Sequence, residues 1–449
     1  TQMRDGFPLG KGPLVMIVMF VVASGFVLGP RDKSDKEILE FWVFAATHYD
    51  EYKAREALFE EAHPGVDVRI TNFGGTMHDK LLASLLADFG APDLAEVEIT
   101  SIGRFLKGRI EHVGFQDLRP RLEAEGWLEK HVQARFAPWS FQGHIFGLPH
   151  DLHPVVLLYR DDLFREAGVD LSQVETWDEF VEAGRKVGGD LNGDGRADRY
   201  ALGLSRRTHG DMFVLLLQRG GGMFDADGDI VIDDPIAADT LEFYRRLFDD
   251  GIARDYAGTG GFTEPATFSL MRDGVICSVL SPDWYVGILK KYTSPEMDGK
   301  WRAMGLPAWT PGGRRTTTMG GTMVGMTKQC ENPDLAWEFM KFSYFDTAAL
   351  VNRYEQTRII PPLKEAFANP VFHEPDAFLG EQRLGTLFTE LALQLPPRYQ
   401  NPYWSEAADI FDEVVLNAVD GRVAPNEALE GLARQVEKIM AEDRLSGGL

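Results

Sequence analysis

The sequence feature that most constrains this chain is a regular alternation of strand and helix patterns over residues 38–99. The runs ILEFWVFAA, VDVRIT and LAEVEI are typical of strands, and the segments between them carry apolar residues at helical spacing. Strands that are separated by helices of this length need right-handed crossovers, which produce a parallel sheet. The alternation therefore predicts a βαβαβ unit at the start of an α/β fold.

A second α/β region is predicted further along the chain. Thr176 and Glu179 form a capping box ahead of WDEFVEAGRKV, and GVICSVL is typical of an apolar strand that a helix follows at once. Between the two regions, Pro149 and Pro154 interrupt the extended run IFGLPHDLHPVVLLY, a pattern suited to a chain that crosses between lobes. The part after Asp346 is predicted to be mostly helical. The 449 residues leave room for two or three domains of about 150 residues each.

An uncharged apolar run from Leu14 to Gly29 precedes these regions, with Arg4 and Lys11 ahead of it. As a helix its 16 residues would span roughly 24 Å, less than the hydrocarbon core of about 30 Å. That length favours the apolar core of a cleaved export signal over an uncleaved membrane anchor. We assign residues 1–33 to this export signal or anchor, and both alternatives place the rest of the chain outside the cytoplasm.

The charge balance argues against nucleic acid as a partner. Lys and Arg number 46 against 69 Asp and Glu, which gives a formal net charge of -23, and a surface this acidic repels phosphate backbones. The two cysteines, Cys277 and Cys330, are too few for a disulfide scaffold or a multi-cysteine zinc site. The sequence has no short motif for nucleophilic, metallohydrolase or nucleotide chemistry. A glycosidase stays open, because its two carboxylates follow no short pattern.

The segment DLNGDGRAD alternates oxygen-bearing side chains in the pattern of the first half of an EF-hand loop. Its candidate metal ligands are Asp190, Asn192, Asp194 and Asp198. Ala201 stands where the bidentate Glu of such a loop belongs, so either another part of the chain completes a calcium site or the loop is a polar turn. A structural Ca2+ is the only metal that this pattern indicates, and no other cofactor is required. The similar segment FDADGDIVIDD is interpreted as a β-turn.

Candidate ligand-binding residues stand where strands end. In an open parallel sheet, ligands bind beyond the carboxyl ends of the strands, which directs attention to residues 47–49 after the first strand and to Glu96 and Glu98 in the third. Trp284 follows a strand end and Trp404 lies in a Pro-rich turn. An aromatic ring offers a flat apolar face to a sugar ring, while carboxylates and amides bond its hydroxyls. Ordinary capping or core packing is the alternative for each of these residues.

Six blocks of sequence spread over residues 38–440 are similar to a known family. The blocks are FWVFAATHYDEYKAREALFEEAHPGVDVRI, FQGHIFGLPHDLHPVVLLYRDDLFREAGV, TWDEFVEAGRKV, LMRDGVICSVLSPDWYVG, GGTMVGMTKQCENPDLAWEFMKF and RIIPP. In their order and spacing the chain resembles the extracellular solute-binding proteins of ABC importers, within the carbohydrate-binding family that includes maltodextrin-binding proteins. The lipobox cysteine that is usual in this family is absent.

The resemblance implies an α/β fold of the periplasmic-binding-protein-like two-lobe type (class II), in which each lobe is a sheet flanked by helices and a hinge crossed several times joins them. The implied lobes are residues 36–149 plus 307–345 for lobe one and residues 150–306 plus 346–449 for lobe two. Cys277 and Cys330 would then lie in different lobes, where a disulfide would hinder closure. We therefore expect two free thiols.

The resemblance also implies which residues line the cleft. Trp284 looks like the stacking aromatic of the family, and Trp404 takes the place of a second aromatic near the carboxyl end. The other positions that line the cleft in the family are His48, Tyr49, Glu98, Asp151, Gly321, Thr322 and Arg358. These residues form a predicted ligand-binding set with no catalytic member.

The predicted function is a receptor that binds an oligosaccharide or another sugar, closes about its hinge and delivers the ligand to the permease subunits of an ABC importer. We expect an exported monomer in the periplasm or on the outer face of the cytoplasmic membrane, where residues 14–29 would anchor it if they are retained. One alternative is an exported carbohydrate-active enzyme with a cleft carboxylate pair such as Glu98 and Asp151. The other is a binding protein for a non-sugar solute such as a polyol or glycerol phosphate, although the acidic balance argues against an anionic ligand.

Overall fold

The computed structural model describes residues 36–445, and two five-stranded sheets organise them. The predicted export signal or anchor at residues 1–33 lies outside this range. The strands of the first sheet are β1 (Glu37–Val43), β2 (Val66–Asn72), β3 (Leu94–Glu98), β6 (Leu148–Pro149) and β12 (Thr322–Met326). The strands of the second are β7 (Val155–Arg160), β8 (Leu202–Leu204), β9 (Ala253–Asp255), β10 (Ser278–Pro282) and β11 (Trp301–Gly305). A separate hairpin pairs β4 (Ser140–Phe141) with β5 (His144–Ile145).

The first sheet confirms the predicted βαβαβ unit. Strand β1 pairs in parallel with both β2 and β3. Strand β12 then pairs antiparallel with β3 on one side and with β6 on the other, which gives the order β2-β1-β3-β12-β6. The sheet is thus completed by a strand from much later in the chain.

The second sheet has the order β11-β7-β10-β8-β9. Strand β7 pairs antiparallel with β10 and β11, while β8 pairs in parallel with β10 and β9. The predicted strand GVICSVL begins later than expected, because only Ile276 of its first part pairs, through a single bridge to Tyr200. The regular strand starts at Ser278 and runs on to Pro282.

Helices flank both sheets. Those of the first half are α1 (Ala46–Ala62), α2 (Met77–Leu86), α3 (Ile102–Phe105), α4 (Arg119–Ala124), α5 (Trp127–Lys130), α6 (Asp161–Glu166), α7 (Trp177–Val187) and α8 (Gly210–Arg219). Those of the second half are α9 (Pro235–Asp249), α10 (Pro265–Arg272), α11 (Asp283–Thr293), α12 (Pro333–Tyr344), α13 (Thr347–Thr357), α14 (Leu384–Ala392), α15 (Trp404–Val419) and α16 (Pro425–Leu445). The predicted capping box at the start of α7 is present, since Thr176 and Glu179 each bond the other's backbone. The prediction of a mostly helical part after Asp346 is also confirmed.

Both sheets are covered on both faces, since Phe41 and Trp42 of β1 also belong to two different apolar clusters. In β7, Val155 and Leu157 belong to one apolar cluster, and Val156 and Leu158 belong to another. Successive side chains of a strand point to opposite faces, so a strand that is buried on both sides must be apolar throughout. This explains why the sequence VVLLY has no polar residue.

Helix α13 contacts both halves of the molecule. Leu350 and Tyr354 pack in a cluster with the second sheet, while the side chain of Arg353 reaches Glu51 of α1 at 2.6 Å. The predicted lobe bounds assigned everything after residue 345 to lobe two. Because Arg353 is bound to α1, this helix is shared between the two sides, and the bounds themselves stay a prediction.

Cys277 and Cys330 are both free and buried, which confirms the expected pair of thiols. Burial raises the pKa of each thiol to about 12, so neither is a reactive thiolate near neutral pH. Within residues 36–445, none of the helices combines the length and the apolar character that a membrane crossing requires.

Candidate ligand-binding cleft

Four charged side chains form a buried cluster between the two sheets. We call Arg135, Asp151, His153 and Asp283 the hinge cluster. The guanidinium of Arg135 donates to Asp151 Oδ1 at 2.6 Å, and its Nε donates to the Asp151 carbonyl at 2.8 Å. His153 lies between two carboxylates, with Nε2 at 3.0 Å from Asp151 Oδ2 and Nδ1 at 2.7 Å from Asp283 Oδ1. Each charge is therefore compensated by a neighbour, as burial requires.

The hinge cluster lies where the chain passes from one sheet to the other. Asp151 comes just after β6 of the first sheet, and its Oδ2 accepts from the backbone N–H of Thr322, which begins β12. Asp283 begins α11 directly after β10 of the second sheet. Its Oδ2 accepts from the backbone N–H of Ile360 at 2.8 Å. Residues beside both passages between the sheets, together with Ile360 after α13, thus meet at one set of charges.

The two carboxylates of the hinge cluster keep His153 charged. Burial alone would disfavour the imidazolium, but Asp151 and Asp283 outweigh it and raise the pKa of His153 to about 9. Burial likewise opposes ionisation of Asp151, yet His153 and Arg135 hold the pKa of its carboxyl well below the ordinary value. Asp151 is therefore an ion-paired carboxylate and not a proton donor near neutral pH.

A glycine turn before β12 allows Arg135 to enter the cluster. A Cβ at Gly321 would lie 2.1 Å from Nη2 of Arg135, so a larger residue at this position would displace the guanidinium. A Cβ at Gly320 would lie 3.6 Å from Nε1 of Trp284, which places the indole beside this turn. The Trp284 side chain is only partly buried. It is thus an aromatic surface next to the hinge cluster that a ligand can reach.

One wall beside the hinge cluster is built by Glu98 and the segment 398–404. Glu98 lies at the end of β3, where it accepts hydrogen bonds from the backbone and hydroxyl of Thr100. Burial raises the pKa of Glu98 although these hydrogen bonds oppose the shift. Arg398 is close enough to Glu98 to feel its charge, but burial still lowers the pKa of Arg398 to about 10. Its guanidinium carbon lies 4.8 Å from the centre of the Trp404 ring.

Several buried polar atoms of this wall have no hydrogen-bond partner among the described residues. They are Nε2 and Oε1 of Gln400, Nε of Arg398 and Nε1 of Trp404. Leaving a buried donor or acceptor unpaired costs about 1–3 kcal/mol, so native proteins rarely do so without a reason. Groups of this kind in one segment indicate a surface that is shaped for a polar ligand.

The same segment contacts the first-sheet side. A Cβ at Gly103 of α3 would lie 2.7 Å from the carbonyl oxygen of Asn401, and Lys107 forms an ion pair with Glu406 of α15. The hydroxyl of Ser405 also donates to the carbonyl of Thr100 at 3.4 Å. The segment that carries Arg398 and Gln400 is therefore held against residues 100–107.

Five of the predicted ligand-binding residues come together at this site. Thr322 pairs with Glu98 across β12 and β3, and its amide donates to Asp151. Gly321 accepts from the amide of Ile99 at 2.9 Å, and Trp284 lies beside the same turn. Their contacts with a ligand stay a prediction.

Of the other four predicted ligand-binding residues, three lie in different surroundings, and Trp404 belongs to the segment 398–404 described above. His48 is buried and bonds Glu96, and its ring stacks on His150 at 4.3 Å. Tyr49 packs against the core of the first sheet. Arg358 ends α13 in the left-handed region with φ 62, and its guanidinium carbon lies 5.3 Å from the Tyr354 ring.

Trp404 is fully buried and belongs to an apolar cluster, with the Phe213 ring at 5.1 Å. In this conformation only its unpartnered Nε1 is oriented for a polar contact, because Phe213 and Arg398 cover its ring. Stacking of a ligand on Trp404 stays a prediction that requires the two sides to separate first.

The predicted metal ligands of the loop 190–198 are engaged by the backbone of that loop. Asp190 accepts from the amides of Gly193, Asp194 and Gly195 at 2.7, 3.2 and 2.6 Å. Asp198 accepts from Leu191 and from both nitrogens of Asn192. The interpretation of FDADGDIVIDD as a β-turn agrees with Asp225, which accepts from the amides of residues 227 and 229. Calcium binding at 190–198 stays a prediction.

Sequence reasoning missed the residues that surround the predicted set. Arg135 lies in a segment with no motif, and Arg398 and Gln400 lie in a Pro-rich stretch that indicated only a turn. His153 and Asp283 could have been found, because each stands beside a residue that was singled out, in DLHP and in SPDW. A buried ion pair between distant segments leaves no trace in a local pattern.

Comparisons with known proteins identify relatives of this chain. Residues 45–349 match the family described as bacterial extracellular solute-binding protein. The chain is 28% identical over 426 residues to an arabinooligosaccharide-binding protein of Halalkalibacterium halodurans, covering 93% of this chain and 92% of that one. It is 27% identical over 435 residues to an arabinooligosaccharide-binding protein of Bacillus subtilis, covering 95% of this chain and 98% of that one.

Solved structures show the same fold. The sugar-binding protein MalE of Xanthomonas citri superposes with a TM-score of 0.76 at 20% identity, covering 91% of this chain and 98% of its own. The galacto-N-biose-/lacto-N-biose I-binding protein of Bifidobacterium longum, in complex with lacto-N-biose, gives a TM-score of 0.72 at 19% identity and covers 92% and 98%. These likenesses confirm the predicted two-lobe α/β fold of periplasmic binding proteins.

Proposed function

Because the chain belongs to the bacterial extracellular solute-binding protein family, we propose that it is a receptor for an oligosaccharide, which it holds between its two lobes. Two relatives that match nearly the whole chain are named for arabinose oligosaccharides. Neutral oligosaccharides of that kind are therefore the first ligands to test. The ligand would lie between the hinge cluster and the segment 398–404, beside Trp284.

The observation that carries this proposal is the set of unpartnered buried polar atoms at Arg398, Gln400 and Trp404. The Gln400 amide offers both a donor and an acceptor, and a sugar hydroxyl can satisfy either. The partly buried indole of Trp284 offers an apolar face for the C–H face of a sugar ring. A cleft that combines these two kinds of group suits a neutral polyhydroxylated ligand.

The charges of the cleft support a neutral ligand over an anionic one. Arg135 is already bound to Asp151 and to the hydroxyl of Thr318, while Arg398 faces Glu98. An anion such as glycerol phosphate would have to compete with Asp151 for Arg135 and would lie beside the carboxylate of Glu98. The formal net charge of -23 would also repel it.

The state of Asp151 supports binding without catalysis. A glycosidase needs one carboxylic acid that donates a proton and one carboxylate that acts as base or nucleophile. Arg135 and His153 hold the pKa of Asp151 well below its ordinary value, and its oxygens are occupied by Arg135, His153 and Thr322. The Glu98 and Asp151 pair therefore lacks a carboxylate free to take part in hydrolysis.

Within this proposal the receptor passes its ligand to the permease subunits of an ABC importer. It would act as an exported monomer, in the periplasm or on the outer face of the cytoplasmic membrane. Closure of the two lobes over the sugar would create the surface that the permease recognises.

Calorimetry and thermal unfolding with a panel of ligands test the proposal. The panel contains arabinose oligosaccharides, galactose and glucose oligosaccharides, and glycerol 3-phosphate. We expect saturable binding of a neutral oligosaccharide, with a rise in melting temperature because the ligand binds only the folded chain. Binding of glycerol 3-phosphate alone would contradict the proposal. Chromatography of the glycans after long incubation provides the second measurement, in which new products would show an enzyme.

A matched pair of variants tests the carrying observation. Gln400→Ala removes both unpartnered amide atoms, and we expect at least about tenfold weaker binding, or about 1.4 kcal/mol. Gln394→Ala changes an exposed glutamine in the same region and should leave affinity unchanged. Equal affinities of the two variants would exclude Gln400 from the site.

A further inference from the structure

A second buried set of polar side chains lies beside the hinge cluster on the first-sheet side. It consists of His48, Glu96 and His150, with exposed fractions of 7%, 0% and 0%. One nitrogen of each imidazole and one oxygen of Glu96 lie within 4.8 Å of one another. Among residues 36–445, it is the one group of three or more His, Cys, Asp or Glu side chains whose ligand atoms come this close together.

The fold brings these three residues together from distant parts of the chain. His48 lies in the first turn of α1, Glu96 is in the middle of β3, and His150 follows β6. Glu96 interrupts the part of β3 that is buried on both faces, Leu94–Val97, while the other glutamate of the strand, Glu98, lies at its partly buried end. A carboxylate at such a position is expensive unless its charge is compensated. Here Glu96 Oε1 lies 2.9 Å from His48 Nδ1, and Oε2 accepts from the amide of Phe44 at 3.4 Å.

His150 has no hydrogen-bond partner on either ring nitrogen among the described residues. The nearest carboxylate oxygens are Glu51 Oε2, at 3.6 Å from Nε2, and Asp151 Oδ2, at 3.5 Å from Nδ1. Its ring stacks on His48 at 4.3 Å with an angle of 27° between the planes. Two unsatisfied nitrogens in a side chain with no exposed surface indicate a ligand-binding role.

The donor types are those of a transition-metal site. Two imidazoles and one carboxylate bind Zn2+ with an open fourth position, while Ca2+ and Mg2+ prefer oxygen ligands throughout. Ligand atoms around a tetrahedral Zn2+ are about 3.4 Å apart, so small rotations of these side chains would complete the site. His48 Nδ1 and Glu96 Oε1 are already 2.9 Å apart.

The charges beside this set are mixed, because the carboxylate of Glu51 lies next to His150 while Arg353 donates to the His150 carbonyl at 3.1 Å. Glu51 Oε2 is buried and unpartnered, while its other oxygen binds Arg353 at 2.6 Å. A carboxylate next to a metal-bound imidazole orients the ring and strengthens it as a ligand. Glu51 thus lies beside His150 in the position of a carboxylate that orients a metal-bound imidazole.

We propose that His48, Glu96 and His150 bind one divalent transition-metal ion, with Zn2+ as the best match, in a site distinct from the oligosaccharide site. The ion would tie α1, β3 and the first crossing together at the base of lobe one. His48, the most exposed of the three, marks the side from which the ion enters.

Titration of the tag-free full chain with Zn2+ and Co2+, after treatment with a chelator and dialysis, tests this proposal. We expect one ion per chain, a higher melting temperature, and a visible Co2+ spectrum of the intense four-coordinate type that Zn2+ abolishes. Absence of stoichiometric uptake by the folded chain would overturn the proposal. A weak Co2+ spectrum typical of six oxygen ligands would do the same.

Three variants locate the ion. Glu96→Gln and His150→Gln each remove one ligand and should weaken Zn2+ binding at least about tenfold. His144→Gln serves as the matched control, because His144 pairs with Asp117 at 2.9 Å on the surface, and it should bind as the unchanged chain does. Circular dichroism establishes that each variant is folded. If both ligand variants bind Zn2+ as tightly as the unchanged chain, the ion binds elsewhere and this site is refuted. If a variant fails to fold, the Co2+ spectrum of the unchanged chain provides the test instead.

Discussion

The residue at which the two sheets are joined is His153, held between Asp151 and Asp283. Its raised pKa of about 9 makes folding depend on pH. A group whose pKa is higher in the folded chain contributes stability that is fully present below its unfolded value of about 6.5 and is lost as the pH rises through the folded value. We expect the free energy of unfolding to fall by about 3 kcal/mol between pH 6.5 and pH 9.5 from this residue.

Urea unfolding at several pH values across that window measures the effect. His153→Gln should be less stable at pH 6.5, because it leaves two buried carboxylates without their cation, and should have a flatter pH profile. His144→Gln, at the surface, should keep the slope of the unchanged chain. If His153→Gln retains the full slope, the titrating group is another one.

Trp284 is the residue whose loss should affect the ligand most. Trp284→Ala removes the aromatic face beside the glycine turn, and we expect a loss of about 1–3 kcal/mol of oligosaccharide binding. Tyr292→Ala on the same helix removes an aromatic ring that is 45% exposed and should leave affinity intact. Calorimetry with the ligand identified in the panel compares the two, and an undiminished affinity of Trp284→Ala would reject the stacking role.

Site residues can be predicted from the sequence where a local pattern or a recognisable block contains them. Asp151 and Thr322 could be named because they belong to blocks that resemble a family, and the structure brings them into contact. Arg135 could not, because its partners are Asp151, Thr318 and Gly320. Such partners are distant in sequence, and only the fold makes them neighbours.

Among the elements, the loop 190–198 carries a prediction of its own. Ca2+ in this loop would be bound by Asp190, Asn192, Asp194 and Asp198, so added Ca2+ should raise the melting temperature. Asp190→Asn should remove that response, while Asp225→Asn in the other acidic turn should not. Thermal unfolding with and without Ca2+ measures this response. If Ca2+ does not change the melting temperature, the loop is a polar turn and not a calcium site.

Helices and strands were predicted most accurately where a chemical signal marks their ends. Helix α7 begins at its predicted capping box, and α9 begins at Pro235, a residue type that suits the first turn of a helix. Strand β10 was placed too early, because the apolar run that contains it also includes a segment with only one pairing. Helix α13 was assigned to one lobe, since nothing local shows that Arg353 binds Glu51.

At the scale of the whole molecule, the approach of α3 to the segment 401–404 should control closure over the ligand. Gly103→Ala would place a Cβ 2.7 Å from the Asn401 carbonyl oxygen, closer than native contacts allow. We expect the variant to remain folded and to bind oligosaccharide at least about tenfold more weakly, because the closed form is penalised.

Gly287→Ala is the control for this effect, since a Cβ there meets nothing within 4 Å and both changes favour a helix to the same extent. Small-angle scattering with and without ligand reports closure directly. A Gly103→Ala chain that compacts and binds like the Gly287→Ala chain would contradict the assigned role of this contact.

The two-lobe arrangement could be predicted only in part from the residues. The alternation of strands and helices predicts α/β units, and Pro149 and Pro154 mark one crossing. That residues 322–326 return to the first sheet was implied by the resemblance alone, because a strand pattern does not say which sheet it joins. The wall with Arg398 and Gln400 depends on contacts between segments that are distant in sequence.

The placement of β12 has a consequence for how the chain reaches this structure. Thr322 pairs with Glu98 and Met326 with Leu94, so the first sheet is finished by residues made long after its first three strands. Contacts between such distant segments slow folding, and until they form, the edge of β3 is open to any other strand. A chain released before residue 326 has been synthesised would therefore be prone to aggregate. A chaperone that covers the edge of β3 during synthesis would prevent this aggregation.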